Sequence, residues 1–148
     1  MQLNFPTYNF KVKKVENRNY IFDIIRKKFV VLTPEEWVRQ HLVHYLIHHC
    51  GCTPTLIAVE KGLTINGLQK RFDVLVFDNS GKPILLCECK APDVQLSDST
   101  FLQAAVYNKN LGVHFLLITN GIELKFCSYQ SDFSAYQITN DIPKYPFT

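Results

Sequence analysis

The 148-residue sequence predicts an α/β domain, a mixed α+β sheet flanked by helices. Three observations predict it. Two stretches, near residues 34–50 and 99–111, carry helical apolar spacing, and runs of strand length surround them. Their order reads as short strands, then α-β-β-β-α-β-β. Finally, a chain of this length, 47% hydrophobic and 20% charged, suits one domain with its own core. That domain is expected over residues 1–148, with a β extension over 1–32 and a core over 33–129.

Each element has a local reason. YNFKVKKV, NYIFDII and KKFVVL in residues 8–32 read as strands, with a turn at Asn17-Arg18-Asn19. Thr33 is a good helix N-cap, Pro34 suits the first helical position, and Glu36 stands where a capping box needs its acid. The helix runs to about Cys50, with Val38, Leu42, Tyr45, Leu46 and His49 on its core-facing stripe. PTLIAVEKGL, RFDVLVFD and PILLCECK follow as strands, the last two joined by a hairpin turn at residues 79–82. STFLQAAVYNKNL has helical spacing, and VHFLLIT is apolar enough for the middle of a covered sheet. IELKFCSY alternates as a strand, and the proline-bearing tail ITNDIPKYPFT reads as irregular.

Composition narrows the function classes. No apolar stretch reaches the ~18–20 residues of a membrane span, and the first residues lack signal-peptide order, so a cytoplasmic protein without a membrane partner is expected. The net charge of +3 is uneven, residues 1–74 carrying eleven basic and six acidic groups and residues 75–148 five and seven. The basic excess gathers at Lys11, Lys13, Lys14, Arg18, Arg26, Lys27 and Lys28, which suits a nucleic-acid partner. Five cysteines, an odd number, argue against a disulfide framework. Cys50 and Cys52 with nearby histidines raise a zinc reading, but C-x-C is off the usual C-x₂₋₄-C spacing.

The segment RFDVLVFDNSGKPILLCECKAP carries the chemistry. If Asn79 pairs with Lys82 across Ser80-Gly81, Asp73 falls opposite Glu88, and opposed residues share a face with Cβ atoms roughly 4.5–5.5 Å apart. Lys90 joins that face by the strand period of two. Two close carboxylates need a counter-ion, and hard oxygen donors select Mg²⁺ or Mn²⁺ over zinc.

Asp73 followed by Glu88-Cys89-Lys90 resembles the D…(E/D)-x-K signature of the PD-(D/E)XK nuclease superfamily. Arg71-Phe72-Asp73, the run Glu88–Pro92, Gln103-x-x-x-Tyr107 and ITNG at Ile118–Gly121 together resemble the amino-terminal nuclease domain of type I restriction enzyme R subunits. The resemblance spans roughly Tyr20 to Cys127 and implies a restriction-endonuclease-like core, αβββαβ, preceded here by extra strands. It implies Asp73, Glu88 and the backbone carbonyl of Cys89 as metal ligands and Lys90 as the catalytic lysine. Gln103 and Tyr107 would lie beside the site, where i, i+4 spacing puts them on one helix face. An acidic residue on the first helix commonly completes such sites; on a wheel of about 100° per residue Glu35 lies nearer the core face than Glu36. Phe72 replaces the usual proline before the acid.

The resemblance implies a Mg²⁺- or Mn²⁺-dependent deoxyribonuclease, and Lys27, Lys28, Arg39, Arg71 and Tyr107 are expected to contact nucleic acid. No G-x-x-x-x-G-K-[ST] loop is present, so ATP is not an expected partner. Expected partners are DNA and either a second copy or restriction-system subunits. The alternative is a non-cleaving nucleic-acid-binding or assembly module on the same fold.

Overall fold

A computed structural model describes residues 2–65 and 67–148, with the side chains of residues 65, 68 and 107 outside the description. Strands β1 (Val12–Val15), β2 (Arg18–Asp23) and β3 (Lys28–Val31) form an antiparallel sheet. Helix α1 (Pro34–His48) follows, then β4 (Ile57–Ile65), β5 (Leu68–Phe77) and β6 (Pro83–Cys89). Helix α2 (Asp98–Leu111) leads to β7 (Phe115–Thr119), β8 (Leu124–Tyr129) and β9 (Tyr136–Thr139). The last six strands form one sheet in sequence order, antiparallel except for the β6–β7 pair, which α2 bridges as a parallel crossover requires. This is the expected mixed α+β architecture with its αβββαβ core.

The sheet has an apolar cluster on each face. Val38, Leu42, Val43 and Leu46 of α1 pack with Val74, Val76, Leu85, Cys87 and Cys89 on one side. Phe101, Ala105 and Leu111 of α2 pack with Phe72, Leu75, Leu86 and Ile118 on the other. Leu3, Ile142 and Phe147 join the α1-side cluster, so both chain ends enter the core. Gly121, in the β7–β8 turn, sits at φ +87, and a Cβ there would stand 2.8 Å from Leu3 Cδ2. Only glycine allows both that backbone and that approach. No helix among the described residues is long and apolar enough to cross a membrane.

Several elements depart from expectation. Thr33 Oγ1 accepts the Glu36 N–H as a cap should, but the Glu36 carboxylate turns inward to Arg26, Arg39 and Gln40 rather than back to Thr33. His49 is exposed beyond the helix end, where its Nδ1 meets Tyr8 Oη at 2.8 Å, so the core stripe stops at Leu46. The tail is not wholly irregular: Tyr136–Thr139 adds an exposed edge strand to β8. The hairpin turn closes on Asp78 and Lys82, not Asn79 and Lys82, because Asp78 Oδ1 accepts the N–H groups of Ser80 and Lys82.

Along α1, Tyr8 and Phe10 cover a row of histidines, Phe10 lying 4.8 Å from both His41 and His44. Burial lowers the pKa of both histidines from 6.5. The unfolded chain then binds more protons between the folded and unfolded values, so this pair costs stability as pH falls below about 6.5. The melting-temperature gap between His44→Leu and the parent protein should therefore shift in favour of His44→Leu between pH 8 and roughly pH 5. Calorimetry on both proteins checks this, since carboxylate titrations common to the two cancel; a constant gap would sink it.

Candidate active site

The β5–β6 ladder fixes the site. Val74 pairs with Cys87, Leu75 with Leu86 and Val76 with Leu85, and the same register continued by one residue places Asp73 across from Glu88. The turn closes one residue earlier than expected, and a bulge between Val76 and Phe77 restores the expected register at the site. On the other side of β5, Val59 pairs with Val74 and Lys61 with Phe72, leaving Glu60 across from Asp73. Glu60 adopts a left-handed backbone, φ 56, unusual for a residue with a side chain. The strand period also breaks here: Phe72 joins the α2-side cluster and Val74, two residues on, the α1-side cluster.

Asp73 is held at both oxygens. Oδ2 accepts the Cys89 N–H at 2.7 Å, and Oδ1 accepts Arg39 Nη2 at 2.9 Å. Arg39 was expected as a nucleic-acid contact. It is instead 5% exposed, its guanidinium bonded to Glu36 and Glu60 at 2.7 Å each as well as to Asp73. Four carboxylates around one cation draw it inward, Glu35 standing 4.0 Å away.

Glu88 points into a cleft of about 210 Å³ shared with Lys70, Lys90, Thr100, Gln103, Ala104 and Ile118. Burial first, and then the charge of Asp73, push its pKa up to about 7. Lys70 Nζ stands 3.3 Å from Glu88 Oε1, yet that oxygen is buried without a well-aligned hydrogen bond. Lys90 follows β6 directly, its N–H tied to Thr119 O at 2.9 Å. Glu88, Lys90 and Gln103 thus line one cleft, and Asp73 reaches the backbone of Cys89 beside it.

Glu35 and Glu36 divide against the helical wheel, which put Glu35 nearer the core: Glu36 is the buried one, drawn in by Arg26, Arg39 and Gln40. Glu35 is half exposed, and its pKa is raised by burial and then by the nearby Asp73 charge, so it faces the site. Glu36 is buried on the far side of Arg39, where Arg26 links it to Asp23. Arg71 is exposed and pairs with Glu60 at 2.9 Å. Lys27 and Lys28 are exposed on the three-stranded sheet rather than lining the cleft. Tyr107 lies in α2, but its side chain is outside the described residues.

Sequence reasoning missed Glu60, Lys70 and the inward turn of Arg39. The ITNG run proves to be scaffolding: Asn120 Oδ1 accepts the N–H groups of Ile122 and Glu123, and its Nδ2 donates to Val94 O, tying down the loop after Lys90. Cys50 and Cys52 are buried thiols raised by burial to about 11 and about 12. Among the described residues no three His, Cys, Asp or Glu side chains are grouped to hold a metal ion.

Comparison with known proteins agrees with the fold. No curated protein sequence matches the chain. Among solved structures it is similar to a fragment described as a candidate HsdR subunit of a type I restriction enzyme from Vibrio vulnificus YJ016. That match has 22% identity and a TM-score of 0.57, covering 78% of this chain and 24% of that one. It is also similar, at 12% identity and a TM-score of 0.49, to a candidate nuclease belonging to DUF820 from Anabaena variabilis ATCC 29413. There 78% of this chain and 74% of that one are covered. The chain thus corresponds to about a quarter of the HsdR fragment. Residues 34–143 match the model for the type I restriction enzyme R protein N terminus (HSDR_N), and the chain belongs to that family.

Proposed function

We propose that this domain is a Mg²⁺- or Mn²⁺-dependent endonuclease that hydrolyses phosphodiester bonds in DNA. The observation that carries the reading is the approach of Asp73, in the middle of β5, to the end of β6, where Glu88 and Lys90 open into one cleft. The donors fit a hard divalent cation: two carboxylates near enough for the charge of one to raise the pKa of the other, one with a buried oxygen lacking an aligned hydrogen bond. Asp73, Glu88 and the Cys89 carbonyl would hold it. When bound, the ion supplies neutralisation of phosphoryl charge.

The chain's own residues supply the rest. Arg39 and the Cys89 N–H fix Asp73 before substrate arrives, so its orientation costs nothing at the moment of reaction. The Lys90 ammonium stabilises negative charge on a phosphoryl oxygen or positions the attacking water. Gln103 offers an amide at the cleft rim, and Glu35 adds a carboxylate beside Asp73. Lys27, Lys28 and Arg71 are the exposed cations for the DNA backbone. Site selection falls to restriction-system subunits or to a second copy of the chain, acting in the cytoplasm.

Incubating supercoiled plasmid with Mg²⁺ or Mn²⁺ tests this. Lys90→Ala should lower cleavage by about 10²–10⁴-fold while DNA binding in EDTA persists. No cleavage by the parent protein with either ion would overturn the reading. A second reading, a non-cleaving nucleic-acid-binding or assembly module, is favoured by one observation: Arg39 already neutralises Asp73. It predicts little or no Mn²⁺ uptake by titration calorimetry.

A further inference from the structure

The three-stranded sheet has two unlike faces. Ile21 and Asp23 are fully buried on the inner one, where Asp23 Oδ2 accepts Gln40 Nε2 from α1. The outer one follows from the register: Lys13 is opposite Tyr20, Tyr20 opposite Val31, Val15 opposite Arg18, and Phe22 opposite Phe29. Lys11 lies beside Phe22, whose N–H donates to Lys11 O at 2.8 Å. Opposed residues share a face, so Lys11, Lys13, Arg18, Tyr20, Phe22 and Phe29 stand together on the outer side.

Two features set this face apart. Its aromatic rings belong to neither apolar cluster among the described residues, yet Phe22 and Phe29 are only partly buried and their ring centroids lie 5.2 Å apart. Lysines cover them: Lys13 Nζ is 4.1 Å from the Phe29 centroid and Lys11 Nζ 5.5 Å from that of Phe22. The acids of these strands lie elsewhere, Asp23 inside and Glu16 in the β1–β2 turn. The face therefore pairs positive charge with partly exposed π surface. It also lies outside residues 34–143, the part that matches the family.

We propose that this outer sheet face binds single-stranded nucleic acid, its bases stacking on Phe22, Phe29 and Tyr20 and its phosphates pairing with Lys11, Lys13 and Arg18. Charge complementarity selects a polyanion, and the rings select one with free planar faces. In a duplex those faces are stacked away, and a clamp on duplex phosphates needs no rings. The proposal goes beyond the nuclease reading and does not use Asp73, Glu88 or Lys90.

The test is fluorescence anisotropy on the full chain in EDTA, with labelled oligothymidylate of about 20 nucleotides and an abasic oligomer of equal length. Oligothymidylate should bind on the order of tenfold or more tightly than the abasic strand, a comparison that needs no substitution. Phe29→Leu should weaken oligothymidylate roughly tenfold and leave the abasic strand unchanged. Lys13→Met should reduce the salt slope by about 0.7. Equal affinity for the two strands would overturn the proposal. So would oligothymidylate binding that neither substitution changes, or equal competition by polyglutamate. Because no divalent ion is present, failure here leaves the plasmid-cleavage result standing, and failure of cleavage leaves this result standing.

Discussion

Asp73→Asn is expected to leave a folded protein whose DNA cleavage falls below detection and whose Mn²⁺ binding is lost. The carboxylate accepts from Cys89 N–H on one oxygen and from Arg39 on the other. An amide keeps the shape but offers one acceptor, so its NH₂ must face one of the two donors. That forfeits one charge-assisted bond, about 1.5–3 kcal/mol. At roughly 2–4 °C per kcal/mol for a chain of this size, the melting temperature should drop by several degrees and no more. Glu36 and Glu60 still hold Arg39 and limit the cost. Undiminished cleavage by Asp73→Asn would remove this residue from the reaction; loss of cleavage together with unfolding would show its role to be structural.

Arg39→Met should carry the larger stability effect. Methionine keeps the stem's bulk and deletes the cation that Glu36, Glu60 and Asp73 share in a nearly buried position. Removing one side of a buried ion cluster costs about 3–5 kcal/mol because the remaining charges are stranded. Urea denaturation should show that loss, with a melting temperature lower by about 10 °C. Adding Glu36→Gln removes one stranded carboxylate, so the double substitution should be less destabilised than the two single effects combined. A cost under about 1 kcal/mol for Arg39→Met would mean the cluster is solvated enough not to matter.

What was legible follows from local rules. Asp73 opposite Glu88 was readable because one turn and the period of two determine an antiparallel register. It was readable partly by compensation, since the earlier closure at Asp78 and the bulge at Phe77 offset each other. Helical geometry alone misjudged Glu35 and Glu36, because the cations that draw Glu36 inward come partly from the small sheet. Lys70 could not be found by alternation, which fails at Asp73: with Phe72 and Val74 on opposite faces, counting back from Asp73 assigns Lys70 to the wrong side. Glu60 needed a second hairpin, closing near Gly67, and a left-handed backbone that nothing in the local sequence announces. Arg39 read as a surface cation because its three close partners come from α1, β4 and β5, a meeting that only the tertiary fold arranges.

Asp23, Arg26, Glu36, Arg39 and Asp73 form an unbroken series of alternating charge from the small sheet to β5. Leu3 packs with Val38 beside Gly121, and Phe147 joins the same core cluster. The unit of homology, residues 34–143, is therefore smaller than the unit of cohesion. Excising it at residue 33 would strip Glu36 of the Arg26 guanidinium and open the groove that Leu3 fills. Domain transplantation into another member of the family would have to carry the amino-terminal sheet along, as the electrostatic ballast of the site it never touches.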